Sequence, residues 1–86
     1  MKARREVEAF ASAMERALRQ HDDKGGWKSE NAEWLIGMAA SNLREDKRLE
    51  KEWAEENDRE KRLKALDALV DCANYCMMSF DLLGGL

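Results

Sequence analysis

Acidic and amide side chains recur at helical spacing near the C-terminal end of this sequence. Asp67, Asp71 and Asn74 lie four and three positions apart within residues 64–86. Residues at this spacing share one face of a helix, so their oxygens can be presented together. Carboxylate and amide oxygens are ligands that Mg²⁺ accepts. A row of polar residues at this spacing is also typical of the solvent-exposed side of a core helix. The spacing alone leaves both interpretations open.

A second group of oxygen donors lies earlier, where Asn42 is followed by Glu45 and Asp46. Two facing helices that each carry such residues can build a metal site inside a helical bundle. However, charged residues make up 38% of the chain, and in such a chain these spacings also arise by chance. The two groups therefore indicate a candidate site for a divalent cation without establishing it.

The segment HDDKGGW, residues 21–27, offers a different chemistry. Lys24 and the two glycines that follow it could hold a phosphate through side-chain and backbone N–H groups, and Trp27 could stack on a base. A glycine pair also ends a helix at little steric cost. The residues favour this second interpretation, in which Trp27 packs against the next helix.

The remaining reactive side chains give little support to catalysis. His21 has no cysteine or histidine close in sequence, so a zinc site would need distant residues, and we expect His21 at the surface. Cys72 and Cys76 lie four apart on one helix, where a disulfide would strain the backbone. Two free thiols that serve as core residues indicate a reducing compartment. The sequence contains no motif for acyl transfer.

Composition and periodicity predict one all-α domain over residues 1–86. Proline is absent, and glycine occurs five times, which favours helices. Apolar residues recur every three or four positions within three segments, which predicts helices over about 4–20, 30–56 and 58–82. We expect Ser29 or Asn31 to cap the second helix, the pair at 57–58 to separate the last two, and the glycines at 84–85 to end the third.

The predicted third helix is apolar over much of its circumference, which bears on assembly. Its apolar side chains include a stripe of residues three and four apart: Leu63, Leu66, Val70, Ala73, Met77 and Phe80. Three helices cannot cover this surface, so we expect a homodimer, or a tetramer, with a shared helical core.

Charge and hydropathy limit the other partners. The net charge is −3 with both signs mixed along the chain, so we expect no nucleic-acid partner. No run approaches the roughly 20 apolar residues that span a bilayer, and the N-terminus lacks the apolar core of a signal peptide. We therefore expect a cytoplasmic protein.

Two stretches together resemble a known family. They are KGGW at 24–27, and a D-x-A-N-x-x-M-M pattern formed by Asp71, Ala73, Asn74, Met77 and Met78. With the helices around them, they resemble the small MazG-like proteins of bacteria and phages. The resemblance implies an all-α nucleoside triphosphate pyrophosphohydrolase that works as a dimer or tetramer. Such enzymes release a nucleoside monophosphate and pyrophosphate, using Mg²⁺ held by an E-x-x-E motif and a later E-x-x-D motif.

Counted onward from KGGW, the first metal motif falls on residues 42–45 and the second on residues 68–71. Glu45 and Asp71 match the family pattern, whereas Asn42 and Ala68 stand where the family has glutamate. The resemblance therefore assigns the metal to Glu45 and Asp71, with Asn42, Asp46 and Asp67 as helpers. It assigns substrate contacts to Lys24, Trp27 and Asn74.

Losing two of four acids should weaken the grip on Mg²⁺ and misplace the attacking water. We therefore expect a MazG-fold protein with an eroded Mg²⁺ site, weakly active or non-catalytic, that binds a nucleotide or a protein partner in a regulatory or accessory role, with no cofactor. The alternative is an active pyrophosphohydrolase that depends on Mg²⁺ or Mn²⁺. A third hypothesis is a purely structural helical interaction module.

Overall fold

A computed structural model describes residues 2–21 and 26–85 of the chain. These residues form three helices and no strand: α1 (Arg5–Arg19), α2 (Ala32–Glu56) and α3 (Arg59–Leu82). The all-α prediction is confirmed for this part of the chain. The helix ends fall within one or two residues of the predicted bounds.

The helices begin and end where local chemistry favours it. Asn31 caps α2, because its Oδ1 accepts hydrogen bonds from the backbone N–H groups of Glu33 at 2.8 Å and Trp34 at 3.2 Å. Asp58 caps α3 in the same way, accepting from the N–H of Glu60 at 2.9 Å. Both groups satisfy backbone donors that a helix start leaves unpaired. Of the two caps predicted for the second helix, Asn31 is confirmed.

A tight turn makes α2 and α3 into an antiparallel hairpin. Asn57, between the two helices, has a φ of 53°, a left-handed conformation that asparagine tolerates better than most residues. Its backbone N–H donates to the carbonyl oxygen of Trp53 at 2.7 Å. The predicted break at residues 57–58 is therefore confirmed, and it directs α3 back along α2.

The core lies between the two helices of this hairpin. Its buried residues recur at helical spacing on each side and are mostly small on α3, which allows the two backbones to approach closely. They are Leu35, Ala39 and Leu49 on α2, with Ala65, Ala68 and Cys72 on α3.

The larger apolar stripe predicted on α3 is not the surface that packs on α2. Leu66 and Phe80 remain 45% and 54% exposed. At about 100° per residue, this stripe is displaced around the helix from the buried line of Ala65, Ala68 and Cys72. Small side chains make the intramolecular contact, which leaves the large ones at the surface.

The first helix is attached more loosely than the hairpin. Helix α1 packs on α3, yet none of its residues is fully buried. One cross-helix hydrogen bond joins them, from Nδ2 of Asn74 to the carbonyl oxygen of Met14 at 3.2 Å. Helix α1 is therefore held by fewer buried contacts than α2 and α3 are.

In the described part of the chain, no helix is long and apolar enough to cross a membrane. Large apolar side chains are nevertheless exposed on all three helices, and they include Val7, Phe10, Ile36, Leu43, Leu63, Leu66 and Phe80.

Candidate functional site

Two adjoining grooves run between α1 and α3. The Asp67 groove has a volume of about 350 Å³ and is lined by Ala13, Arg16, Ala17, Gln20, His21, Asp67, Val70 and Asp71. The Asn74 groove has a volume of about 300 Å³ and is lined by Ala17, Leu18, His21, Asp71, Asn74, Tyr75 and Met78. Because His21 and Asp71 line both grooves, the two grooves form one candidate site. Each groove has a volume in the range of small-ligand pockets.

Among the side chains that line these grooves, Asp71 has the pKa that departs most from its ordinary value. Partial burial and, secondarily, the negative charge of Asp67 raise the pKa of Asp71, while His21 acts in the opposite direction. The predicted pair Asp67 and Asp71 is therefore brought together, one helical turn apart on α3. His21 is exposed, as predicted, and it also lines the Asp67 groove.

Asn74 is buried beneath the Asn74 groove, with 5% of its surface exposed. The Nδ2 group donates to the carbonyl oxygen of Met14, which fixes the orientation of the amide. Its Oδ1 is buried and has no hydrogen-bond partner among the described residues. An unpaired buried acceptor costs about 1–3 kcal/mol, so a ligand donor that reached Oδ1 would be bound favourably.

A second polar cluster lies inside the α2–α3 hairpin. Asp46 is only 5% exposed, and its Oδ1 has no partner among the described residues. Burial, together with a hydrogen bond to Glu50 and its charge, raises the pKa of Asp46 to about 6. The Nδ2 of Asn42, one turn earlier on the same helix, is likewise buried and unpaired. Both polar side chains therefore sit in the seam between the helices.

Glu45 has different neighbours from Asp71. Its side chain is about half exposed and forms an ion pair with Arg48, which in turn pairs with Glu52 at 2.9 Å. The hydrogen bond from Arg48 lowers the pKa of Glu45, and Lys64 adds to this effect. A carboxylate held by an arginine is less available to a metal ion.

No group of three or more histidine, cysteine, aspartate or glutamate side chains in residues 2–21 and 26–85 has a metal-binding arrangement. At the family's motif positions, Asn42 offers a neutral amide. Ala68 is buried at 8% exposure in the α2–α3 seam and offers no ligand. Two of the four motif positions therefore supply no carboxylate.

Trp27 is engaged in a contact between distant parts of the chain. Its Nε1 donates to Oδ2 of Asp81 at 2.9 Å, and Lys28 forms an ion pair with the same carboxylate. These partners, Lys28 first, lower the pKa of Asp81. The contact fastens the segment that precedes α2 to the end of α3. The ammonium of Lys28 also lies 5.4 Å from the centre of the indole ring.

The sequence also predicted roles for Lys24 and for the two cysteines. Lys24, a predicted phosphate contact, lies outside the described residues. Both cysteines are free thiols. Cys72 is buried, as predicted, whereas Cys76 is exposed, so the prediction of a core position is wrong for Cys76. Burial, with Cys76 close by, raises the pKa of the Cys72 thiol, as expected for a core residue rather than a reactive one.

Sequence reasoning identified Asp67, Asp71 and Asn74 but not Arg16 and Gln20, which complete the Asp67 groove from α1. No motif marks these two residues. Their spacing of four predicts a shared helix face, but that face could be placed against Asp67 only once the packing of α1 was known.

No protein-family model matches this sequence, and no curated protein or solved structure is significantly similar to it. The resemblance to MazG-like proteins therefore stays a prediction that rests on the residues themselves.

Proposed function

We propose that this protein is a MazG-like homodimer with an eroded metal site, which binds a nucleotide and hydrolyses it weakly or not at all. The observation that carries the proposal is the pair of grooves between α1 and α3, which bring His21, Asp71 and the unpaired amide of Asn74 together. This arrangement supports ligand binding by hydrogen bonds and does not require a metal.

The donor set supports weak or absent hydrolysis. Pyrophosphate release from a triphosphate requires charge neutralisation and a positioned water, which Mg²⁺ supplies in this chemistry. Of the four motif positions, 42 and 68 contribute no charge, and Glu45 is paired with Arg48. Asp71 then acts as a hydrogen-bond acceptor toward the ligand.

The exposed apolar residues support self-association. Leu66 and Phe80 on α3, with Ile36 and Leu43 on α2, leave large apolar side chains at the surface of a chain of 86 residues. Burying each large apolar side chain contributes about 1.5–3 kcal/mol, and a second copy supplies a matching apolar surface by symmetry. A monomer measured by light scattering at micromolar concentration would contradict this part of the proposal.

The catalytic test measures pyrophosphate release from a panel of canonical and modified nucleoside triphosphates with Mg²⁺ or Mn²⁺. Nucleotide binding is measured separately, by calorimetry without metal. We expect binding in the absence of metal and little or no release. Robust release that is abolished by Asp71→Ala would overturn the proposal in favour of an active enzyme.

A gain-of-function variant sharpens this test. Asn42→Glu combined with Ala68→Glu restores both missing acids, and we expect it to increase pyrophosphate release. Because Ala68 is buried in the seam, the unfolding midpoint must be measured alongside. If a folded double variant neither binds Mg²⁺ nor releases pyrophosphate, the assignment of the motifs to residues 42–45 and 68–71 is wrong.

One observation favours the alternative of an active pyrophosphohydrolase that uses Mg²⁺ or Mn²⁺. Asp67 and Asp71 line a groove together, and the charge of Asp67 contributes to raising the pKa of Asp71. Two carboxylates therefore lie in a groove that Arg16 and His21 also line. The same release assay decides between the two functions, because two carboxylates that hold a metal would give metal-dependent turnover.

A further inference from the structure

A third groove between α1 and α3 is lined mainly by apolar side chains. This Phe10 groove has a volume of about 590 Å³. Phe10 from α1 and Leu66 from α3 line it and remain 43% and 45% exposed. Its other apolar residues are Ala9, Ala13, Leu69 and Val70. Because no residue of α1 is fully buried, the apolar side of this helix is open to a further surface.

Four residues of α1 that line the Phe10 groove form a stripe with a symmetrical order. The stripe runs from an acid through two alanines to a base: Glu6, Ala9, Ala13 and Arg16. Their spacings of three, four and three place them on one side of the helix. Reversing the helix direction keeps these spacings and exchanges the acid with the base. An antiparallel copy of α1 therefore presents a base opposite each acid and an alanine opposite each alanine.

The charges at the two ends of this stripe are available to a partner. Glu6 and Arg16 are both exposed, and neither forms an ion pair with another residue that the structure describes. By contrast, Glu15 and Arg19 of the same helix pair with each other at 3.1 Å. Glu6 and Arg16 lie about 15 Å apart along the helix axis, too far to pair within one chain. Charge complementarity therefore favours a second copy as the occupant of this groove.

We infer that the homodimer forms by antiparallel packing of α1 in the Phe10 groove of a second copy, with Glu6 of each chain paired to Arg16 of the partner subunit. This inference rests on the proposed homodimer and identifies the surface that forms it. Each contact of a two-fold interface occurs twice, so an ion pair closes each end. Alanines at the centre allow the two helix axes to approach closely, and the partner helix then covers Phe10 and Leu66.

This interface reaches the candidate nucleotide site, because Arg16 lines both the Phe10 groove and the Asp67 groove. Pairing with Glu6 of the partner subunit would hold the guanidinium of Arg16 at the border between the two grooves. The exposed apolar residues Ile36 and Leu43 on α2 line neither groove, and the inference assigns them no part in the interface.

The test measures the dimer dissociation constant of the full chain by sedimentation equilibrium. Glu6→Arg places two arginines against each other at both ends of the interface, and Arg16→Glu places two glutamates there. We expect each variant to raise the dissociation constant at least about tenfold, because like charges in contact repel. Glu8 lies in the same first turn but on another side of the helix. Glu8→Arg is therefore the matched control and should leave the constant near the wild-type value.

Mixing the two variants separates an interface effect from a folding defect. A dimer of one Glu6→Arg chain and one Arg16→Glu chain has opposite charges at both ends. We expect the equimolar mixture to associate at least about tenfold more tightly than either variant alone. The double variant Glu6→Arg/Arg16→Glu should dimerise about as tightly as the wild type. A defect within one chain would not be repaired by adding the other chain.

Three outcomes would overturn the inference. A dissociation constant unchanged in Glu6→Arg, or a mixture that associates no more tightly than its components, would place the interface elsewhere and leave self-association intact. A dimer that is lost in Leu43→Ser but kept in Glu6→Arg would assign the interface to α2. A wild-type chain that is monomeric would reject the proposed homodimer itself.

Discussion

The buried carboxyl group of Asp46 should make the stability of the hairpin depend on pH. In the folded protein, burial and the neighbouring Glu50 raise its pKa from the ordinary value of 3.8 to about 6. The folded protein therefore binds the proton more tightly than the unfolded chain does. Well below pH 3.8, the ordinary pKa, the group is protonated in both states and carries no penalty. As the pH rises through 6, the folded state must bear a buried charge, and stability is lost.

The magnitude follows from this difference in pKa. One pKa unit corresponds to about 1.36 kcal/mol, so the change from 3.8 to about 6 corresponds to about 3 kcal/mol at neutral pH. This is a substantial share of the stability of a small domain. Asp46→Asn removes the charge and keeps the shape of the side chain. We expect this variant to be more stable than the wild type at pH 7 by up to about 3 kcal/mol, and by much less at pH 4.

Urea unfolding of the wild type and Asp46→Asn at several pH values between 4 and 8 measures the effect. The difference in unfolding free energy between the two proteins reports on residue 46, because all other carboxyl groups are present in both. Glu55→Gln removes one carboxylate at an exposed position on α2 and serves as the control, which should leave the unfolding free energy nearly unchanged. A difference for Asp46→Asn that is the same at pH 4 and pH 7 would refute the reasoning.

Three further predictions concern the ends of the helices and use urea unfolding as the measurement. Asp58→Ala removes the cap on the N–H of Glu60 and should cost about 1 kcal/mol; no change would mean that water replaces the cap. Asn57→Val places a β-branched residue at a φ of 53° and should lower the unfolding free energy by about 1–2 kcal/mol. Asn57→Gly should be nearly neutral. Equal effects of the two substitutions would exclude backbone strain as the cause. Trp27→Phe loses the hydrogen bond to Asp81 and should cost about 1 kcal/mol; the same cost in an Asp81→Ala background would show that the loss does not come from this hydrogen bond.

Helix positions could be predicted because their causes are local. Asn31 and Asp58 accept hydrogen bonds from N–H groups two or three residues ahead, so the residue type and its place before an apolar repeat are sufficient. The candidate site was predictable in part for the same reason. Asp67, Asp71 and Asn74 share one helix face by their spacing alone.

The sequence by itself determined three helices, their caps and the face that carries these polar residues. Only the tertiary structure decided that small side chains, not the stripe of Leu66 and Phe80, pack between α2 and α3. It also decided that Asp46 is buried and that Asn74 bonds to Met14 of α1. Periodicity defines which residues lie on one face, whereas burial, pKa and hydrogen-bond partners depend on side chains that are remote in the chain and adjacent only in the fold.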